Sequence, residues 1–132
     1  MTVVADIIAT NPASVALPTD QLAACIASCV ECASVCETCA DACLAEDMVA
    51  ELRDCIRLDL ACRALCAATA QVLNHAAGLP AEVIESTIAA CAQACAACAE
   101  ECERHADMHE HCRLCAEACR RCEQACRQLA KA

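Results

Sequence analysis

Six cysteines between residues 25 and 43 recur at alternating steps of four and three residues. A mean step of 3.5 residues is the spacing at which one stripe of a helix faces partner helices, so these thiols are predicted to point into a helical bundle. The six are Cys25, Cys29, Cys32, Cys36, Cys39 and Cys43. Three later segments repeat the pattern, the first of them with gaps: Cys55, Cys62 and Cys66, then Cys91, Cys95, Cys98 and Cys102, then Cys112, Cys115, Cys119, Cys122 and Cys126. Four helices are therefore predicted to direct sulfur towards one axis.

The composition leaves cysteine as the main filling of the interior. The chain has 132 residues, enough for one four-helix bundle and too few for two ordinary cores. It contains no Phe, Tyr or Trp, the residues that usually supply the largest buried areas. Cysteine can act as a small buried hydrophobic residue, and the alanine-rich background favours helix. We therefore predict an all-α fold: an antiparallel up-down-up-down four-helix bundle with a cysteine-lined core and a short N-terminal helical segment.

Breaks in the helical pattern give the expected boundaries. Gly78 suits a left-handed helix C-cap, and Pro80 suits the first position of the next helix. Asp47 is a candidate N-cap for the second bundle helix, and Asp107 with Glu110 resembles a capping box before the fourth. Residues 1–18 are predicted to form an N-terminal segment with a short amphipathic helix, and 19–132 the bundle, with helices at about 19–45, 50–77, 80–105 and 108–130.

Short connections make neighbouring helices antiparallel, which fixes the residues that share each end of the bundle. The end with the first and third turns between bundle helices, here called the histidine end, collects Met48, His105, Met108, His109 and His111. The opposite end, here called the closed end, carries Thr69, Leu73, Ile84 and Ile88 at the continuing core positions. We expect soft or nitrogen ligands at the first end and an aliphatic plug at the second, where His75 is interpreted as structural.

The expected compartment is a reducing cytosol. Residues 1–18 contain no Lys or Arg and lack the apolar run of a signal peptide, and no stretch approaches the length of a membrane span. In such a compartment a cysteine array indicates metal binding rather than disulfide cross-links. The formal net charge of -10 at pH 7 argues against binding to nucleic acid or anionic membranes and mildly attracts cations. An acidic surface that keeps the protein soluble explains the same charge.

Most of the cysteines fall into i, i+4 pairs. The pairs are Cys25/Cys29, Cys32/Cys36, Cys39/Cys43, Cys62/Cys66, Cys91/Cys95, Cys98/Cys102, Cys115/Cys119 and Cys122/Cys126. Side chains four apart on a helix have Cβ atoms roughly 5–6 Å apart, close enough for two sulfurs to bind one metal ion. A disulfide needs Cβ atoms about 3.8 Å apart, so only links between helices are open to an oxidised, metal-free protein. Cys55 and Cys112 stay unpaired near the histidine end, where we expect an incoming ion to meet them first.

Thiolate ligands are typical of Cu(I), zinc and iron-sulfur sites, so ligand type alone leaves the metal open. Charge narrows the choice, because four thiolates around one zinc ion carry a net charge of -2 whereas one Cu(I) per thiolate is neutral. In a dry core each uncompensated charge costs several kcal/mol. Long rows of thiolates without basic partners therefore favour Cu(I), bound as many ions per chain.

Other interpretations of the cysteines fit less well. A purely structural role is usual for one or two buried cysteines, not for eighteen on one axis. Ferredoxin clusters take their ligands from loop-rich segments rather than from a continuous heptad. A zinc or thiol redox buffer with a metallothionein-like role remains as an alternative, because excess thiol binds either ion. The sequence offers no basic partner or loop nucleophile for catalysis, so we do not expect an enzyme.

The cysteine stripe of the first bundle helix and the repeated Cys-x-x-x-Cys on four helices resemble the bacterial copper storage proteins, over roughly residues 19–129. The resemblance implies a homotetramer of four-helix bundles, each storing many Cu(I) ions, with copper donor or acceptor proteins or small thiols as partners. Without an export signal the chain is similar to the cytosolic branch of that family. This implies a histidine-containing mouth, matched by His105, His109 and His111. The second bundle helix departs from the full pattern at Leu58/Asp59 and Thr69, where cysteine could stand.

Overall fold

The computed structural model describes residues 2–132 of the chain. Its five α-helices are α1 (Thr2–Thr10), α2 (Thr19–Leu44), α3 (Arg53–Leu73), α4 (Ala81–Arg104) and α5 (Glu110–Ala130). Two 3₁₀ turns lie at Val49–Leu52 and Ala76–Gly78, and the described residues contain no β-strand. The predicted all-α bundle with a short N-terminal helix is therefore confirmed.

Helices α2 to α5 form a ring in which each helix packs against two neighbours. Helix α2 contacts α3 and α5, and α4 contacts the same two helices from the opposite side. Because the connections are short, consecutive helices run antiparallel. Helix α1 lies outside the ring and packs on α2. The ring encloses one axis, and the turns after α2 and after α4 share the histidine end.

The second bundle helix is shorter than the sequence suggested. It starts with the 3₁₀ turn Val49–Leu52, and α3 ends at Leu73 instead of about residue 77. Asn74 donates two hydrogen bonds to the Ala70 carbonyl, one from its backbone amide at 3.1 Å and one from its side-chain amide at 2.8 Å. These bonds satisfy a carbonyl group that the end of the helix would otherwise leave without a partner. Gly78 consequently lies in the next 3₁₀ turn without a positive φ, so its prediction as a left-handed C-cap was wrong. Pro80 stands one position before α4, not at its first residue.

The predicted side-chain caps of α3 and α5 are also absent from the described residues. The residue before α3 is Leu52 and the residue before α5 is His109, and neither caps its helix with a side chain. The Asp107–Glu110 capping box was wrong because the turn closes through its backbone: the amides of Met108 and His109 both donate to the His105 carbonyl. Backbone hydrogen bonds thus replace the expected carboxylate caps.

The expectation that no stretch approaches the length of a membrane span was wrong for helix α2. By length and composition alone, Thr19–Leu44 is long and apolar enough to cross a membrane. Its apolar character comes from cysteine and alanine, and its six cysteines are all buried among the other helices of the bundle. The core helix of a bundle passes the same test as a membrane span.

Aliphatic side chains fill the closed end. Leu73 and Ile88 are buried there as predicted, Thr69 is buried with its hydroxyl donating to the Leu65 carbonyl at 2.7 Å, and Ile84 packs on the core. Three further large aliphatic side chains are buried at this end and were not predicted from the sequence: Leu22, Ile26 and Leu129. Leu22 and Leu129 continue the cysteine stripes of α2 and α5 by one step of three residues, so the same periodicity could have found them.

Candidate metal centre

All eighteen cysteines are buried and carry free thiols. Thirteen of them have a sulfur atom 3.5–3.9 Å from a sulfur on another helix of the ring, as in Cys25–Cys126 at 3.7 Å and Cys55–Cys102 at 3.5 Å. Four helices thus supply a column of sulfur along the axis. Cys55, expected to be unpaired, has its sulfur partner on α4.

Several sets of four thiols are close enough to hold a metal ion, with sulfur atoms within 4.8 Å of one another. The sets include Cys29, Cys91, Cys122 and Cys126; Cys32, Cys66, Cys95 and Cys122; Cys32, Cys36, Cys62 and Cys119; and Cys36, Cys98, Cys115 and Cys119. Successive sets share members: Cys122 belongs to the first two, and Cys36 and Cys119 belong to the last two. The arrangement therefore suits ions that share sulfur ligands along the axis better than isolated closed sites.

The i, i+4 pairs describe only part of this geometry. Two of them are within 3.8 Å, Cys32/Cys36 and Cys62/Cys66. Most of the close sulfur contacts instead join different helices, as between Cys66 and Cys91 at 3.7 Å. Sequence spacing showed which residues face the axis, and the packing of the ring decides which sulfurs meet.

Asp59 interrupts the sulfur column with a fully buried carboxyl group. Its Oδ1 atom accepts hydrogen bonds from the thiols of Cys98 at 3.1 Å, Cys115 at 3.2 Å and Cys102 at 3.7 Å. Its Oδ2 atom is buried and has no hydrogen-bond partner. Burial raises the pKa of Asp59 to about 9. The carboxyl group is therefore neutral at pH 7 in the metal-free protein.

His111 joins the sulfur column at the histidine end. Its Nδ1 atom lies 3.6 Å from the Cys39 sulfur, 3.9 Å from Cys43 and 3.6 Å from Cys112. These four residues form another set that could hold a metal ion. Burial raises the pKa of the Cys43 thiol to about 12, so an ion that binds here must displace its proton.

The other predicted residues of this end differ from His111 in their contacts and exposure. His109 is 9% exposed, stacks on His111 with ring centroids 5.4 Å apart, and pairs with Glu46. His105 pairs with Glu101 at 2.9 Å. Met48 is half-buried, whereas Met108 is 63% exposed. His111 thus contacts both the thiols and an acidic partner, whereas His105 and His109 pair with acidic side chains.

Two acidic residues of the histidine end were not predicted from the sequence. Glu101 could have been found, because it lies four residues before His105 on one helix. Glu46 lies 65 positions before His111, and only the folded turns bring the two together. No sequence spacing signals that contact.

Comparisons with known proteins agree with this geometry. The sequence profile of the copper storage protein family matches residues 18–131. A copper storage protein of Streptomyces lividans, solved with 10 copper equivalents, is 51% identical with a TM-score of 0.94, over 97% of this chain and 98% of that one.

Two further solved structures extend the likeness. A cytosolic copper storage protein of Streptomyces lividans with five coppers is 54% identical over 86% of this chain and 94% of its own, with a TM-score of 0.84. The metal-free copper storage protein 3 of Bacillus subtilis is 36% identical over 81% and 96%, with a TM-score of 0.69. No curated protein matches the chain.

Proposed function

The chain belongs to the copper storage protein family, and on that premise we propose that it stores many Cu(I) ions on the thiolates inside its helix bundle. The observation that carries the proposal is the sharing of cysteines between successive four-thiol sets, as Cys32 and Cys122 show. A bridging thiolate serves two ions, so such a column takes up ions in numbers approaching the number of sulfurs. Related structures with five and 10 coppers support multiple loading.

The charge balance of the buried core favours Cu(I) over zinc. The eighteen thiols are buried, and the structure gives no Lys or Arg among the buried residues that it describes. One Cu(I) per thiolate leaves such an interior neutral, whereas four thiolates on each zinc ion leave an excess of negative charge. Thiolate is also a ligand type that Cu(I) prefers. The same four-thiol sets fit a tetrahedral zinc ion in size, so the zinc or thiol redox buffer is the alternative that the experiments must separate.

The proposed ligands are all of the cysteines, together with His111 at the histidine end. The cysteines are Cys25, Cys29, Cys32, Cys36, Cys39, Cys43, Cys55, Cys62, Cys66, Cys91, Cys95, Cys98, Cys102, Cys112, Cys115, Cys119, Cys122 and Cys126. We assign His105, His109, Met48 and Met108 to transfer rather than storage, because imidazole and thioether bind a soft cation without the charge of a thiolate. Asp59 and Thr69 are buried at positions of α3 where a cysteine could stand, and we do not include them among the ligands.

Copper is proposed to enter and leave at the histidine end. That end exposes His111 to 26% and places its Nδ1 atom beside three thiols. The closed end instead buries Leu22, Leu73 and Leu129, which offer a cation no ligand. Cys112 and Cys55 are close to the entrance. Hydrogen bonds from Cys39 and then from Cys55 lower the pKa of Cys112. The lower pKa favours the thiolate form of Cys112, which is the form that binds an incoming ion.

The remaining features of the proposal follow the family. A related protein is described as cytosolic, which supports a cytosolic location for this chain. We propose a homotetramer, and copper donor or acceptor proteins or small thiols as exchange partners. The family is one of storage proteins, and we assign no catalytic residue.

Crystals of the reduced protein soaked with a Cu(I) donor test where the ions bind. Anomalous diffraction at the copper edge is expected to show a row of peaks along the bundle axis, between the sulfurs of α2 to α5. Peaks confined to surface histidines or methionines would contradict storage in the interior. A parallel soak with zinc is expected to give few peaks, each at a set of four thiols.

A further inference from the structure

Glu46 makes a contact at the histidine end that joins two of the bundle's connections. It follows the end of α2, and its Oε2 atom lies 2.8 Å from Nε2 of His111 and 3.1 Å from Nδ1 of His109. The two imidazole rings are stacked with an interplanar angle of 22°. One carboxylate oxygen therefore binds a pair of histidines that belong to the start of α5.

This contact fixes the orientation of the His111 ring. Glu46 is partly exposed to solvent, and a glutamate carboxyl group in contact with water is ionised at neutral pH. An ionised carboxylate only accepts hydrogen bonds, so the Nε2 atom of His111 must carry the proton. In the neutral ring the Nδ1 atom then holds the lone pair, and this is the atom that faces Cys39, Cys43 and Cys112.

The separations suit a metal ligand that is already in place. A metal ion about 2.3 Å from sulfur and about 2.0–2.1 Å from nitrogen, with tetrahedral angles, puts the two ligand atoms about 3.5 Å apart. The Nδ1 atom of His111 lies 3.6, 3.9 and 3.6 Å from the three sulfurs. Small movements of these side chains are thus enough to bind an ion.

We propose that Glu46 is the positioning residue of the copper entrance: it selects the His111 tautomer with a free Nδ1 atom and holds that atom against the first thiols. The proposal rests on the proposed function in taking His111 as a Cu(I) ligand. Glu46 itself binds no copper in this scheme. A hydrogen-bond partner that orients a histidine ligand typically changes metal affinity or activity by about 10–100-fold when it is removed.

The first test needs no copper. Nitrogen-15 NMR of the histidine rings in the reduced, metal-free protein reports which nitrogen of His111 is protonated. In the neutral wild-type ring the proton is expected on Nε2. Glu46→Ala is expected to give a mixture of tautomers, whereas Glu46→Gln keeps an accepting oxygen and is expected to retain the wild-type tautomer. An unchanged tautomer in Glu46→Ala would overturn the proposal.

The second test follows Cu(I) transfer from a chromophoric chelator by stopped flow. Glu46→Ala is expected to slow the first transfer phase by about 10-fold, with Glu46→Gln closer to wild type and the final capacity kept within one ion. Glu51→Gln is the matched control, since it removes an exposed charge in the same connection without touching a histidine. Equal rates in Glu46→Ala and Glu51→Gln would contradict the proposal. If wild type takes up no Cu(I), the storage function fails while the tautomer test of Glu46 still stands.

Discussion

The thiol of Cys98 donates a hydrogen bond of 3.1 Å to the Oδ1 atom of Asp59, inside a core with no water-exposed surface at either residue. The contact explains why a carboxyl group is tolerated in the sulfur column. Three thiols donate to one oxygen, and burial keeps the carboxyl group protonated. It also makes the stability of the metal-free protein depend on pH.

The substitution Asp59→Asn is expected to flatten that dependence. Because the folded pKa of Asp59 is raised to about 9, its contribution is fully present below the unfolded value of about 3.9 and is lost as pH rises towards 9. The loss is about 1.4 kcal/mol per pH unit, or about 4 kcal/mol between pH 5 and pH 8. Chemical denaturation of both reduced apo-proteins at these two pH values measures it. Equal slopes against pH in the two proteins would show that Asp59 is already ionised in the fold.

The helices are expected to form without metal. Ala-rich heptads, backbone-closed turns and the aliphatic plug do not depend on copper. Far-UV circular dichroism of the reduced apo-protein should therefore show a helical spectrum, and Cu(I) loading should raise the melting temperature by mass action on the folded state. A random-coil spectrum would place the protein with zinc-finger-like domains that fold only on metal binding.

The closed end is expected to be a structural plug. Leu73 is 1% exposed, and Leu73→Ala should lower the free energy of unfolding by about 2–5 kcal/mol. Leu60, on the same helix but half-exposed, provides the control, and Leu60→Ala should cost far less. Cu(I) uptake by folded Leu73→Ala should keep the wild-type rate. Faster uptake would mean that copper also enters at the closed end when the Leu73 side chain is shortened.

Replacing His105, His109 and His111 together by Ala is expected to slow both loading and chelator-driven removal of Cu(I). The final capacity should fall by no more than a few ions, because the thiols remain. His75→Ala serves as the control, since His75 is an exposed histidine at the opposite end. Stopped-flow transfer and endpoint titration separate the two effects. Unchanged rates would refute the entrance, and a larger loss of capacity would make His105 and His109 storage ligands as well as His111.

The sequence predicted the fold and the axis better than it predicted the contacts. Heptad spacing of cysteine shows which side chains face inward, because the helical period alone decides it. Helix ends were less predictable. Helix α3 ends at Leu73 because Asn74 donates hydrogen bonds to the last turn, four residues before the cap predicted at Gly78. Single residues with strong cap preferences do not decide a boundary where the backbone closes the turn by itself.

In the metal site, too, the sequence predicted which residues face the axis but not which of them make contact. Asp59 was visible as a gap in the cysteine stripe, but its three thiol donors depend on how α3, α4 and α5 meet. His111 was one of three equivalent histidines in the sequence, and only the fold places its Nδ1 atom on Cys39 and Cys112. Periodicity predicts the face of a helix, whereas contacts between helices depend on their relative rotation and on turn geometry.

The most direct test of the account is a titration of the fully reduced apo-protein with Cu(I) in competition with a high-affinity chelator, with a parallel titration of zinc. Storage on shared thiolates predicts a Cu(I) endpoint approaching the eighteen cysteines of each chain, and a much lower endpoint for zinc. A Cu(I) endpoint of only about four ions per chain, equal to that of zinc, would contradict it, because isolated four-thiol sites would then account for all of the binding.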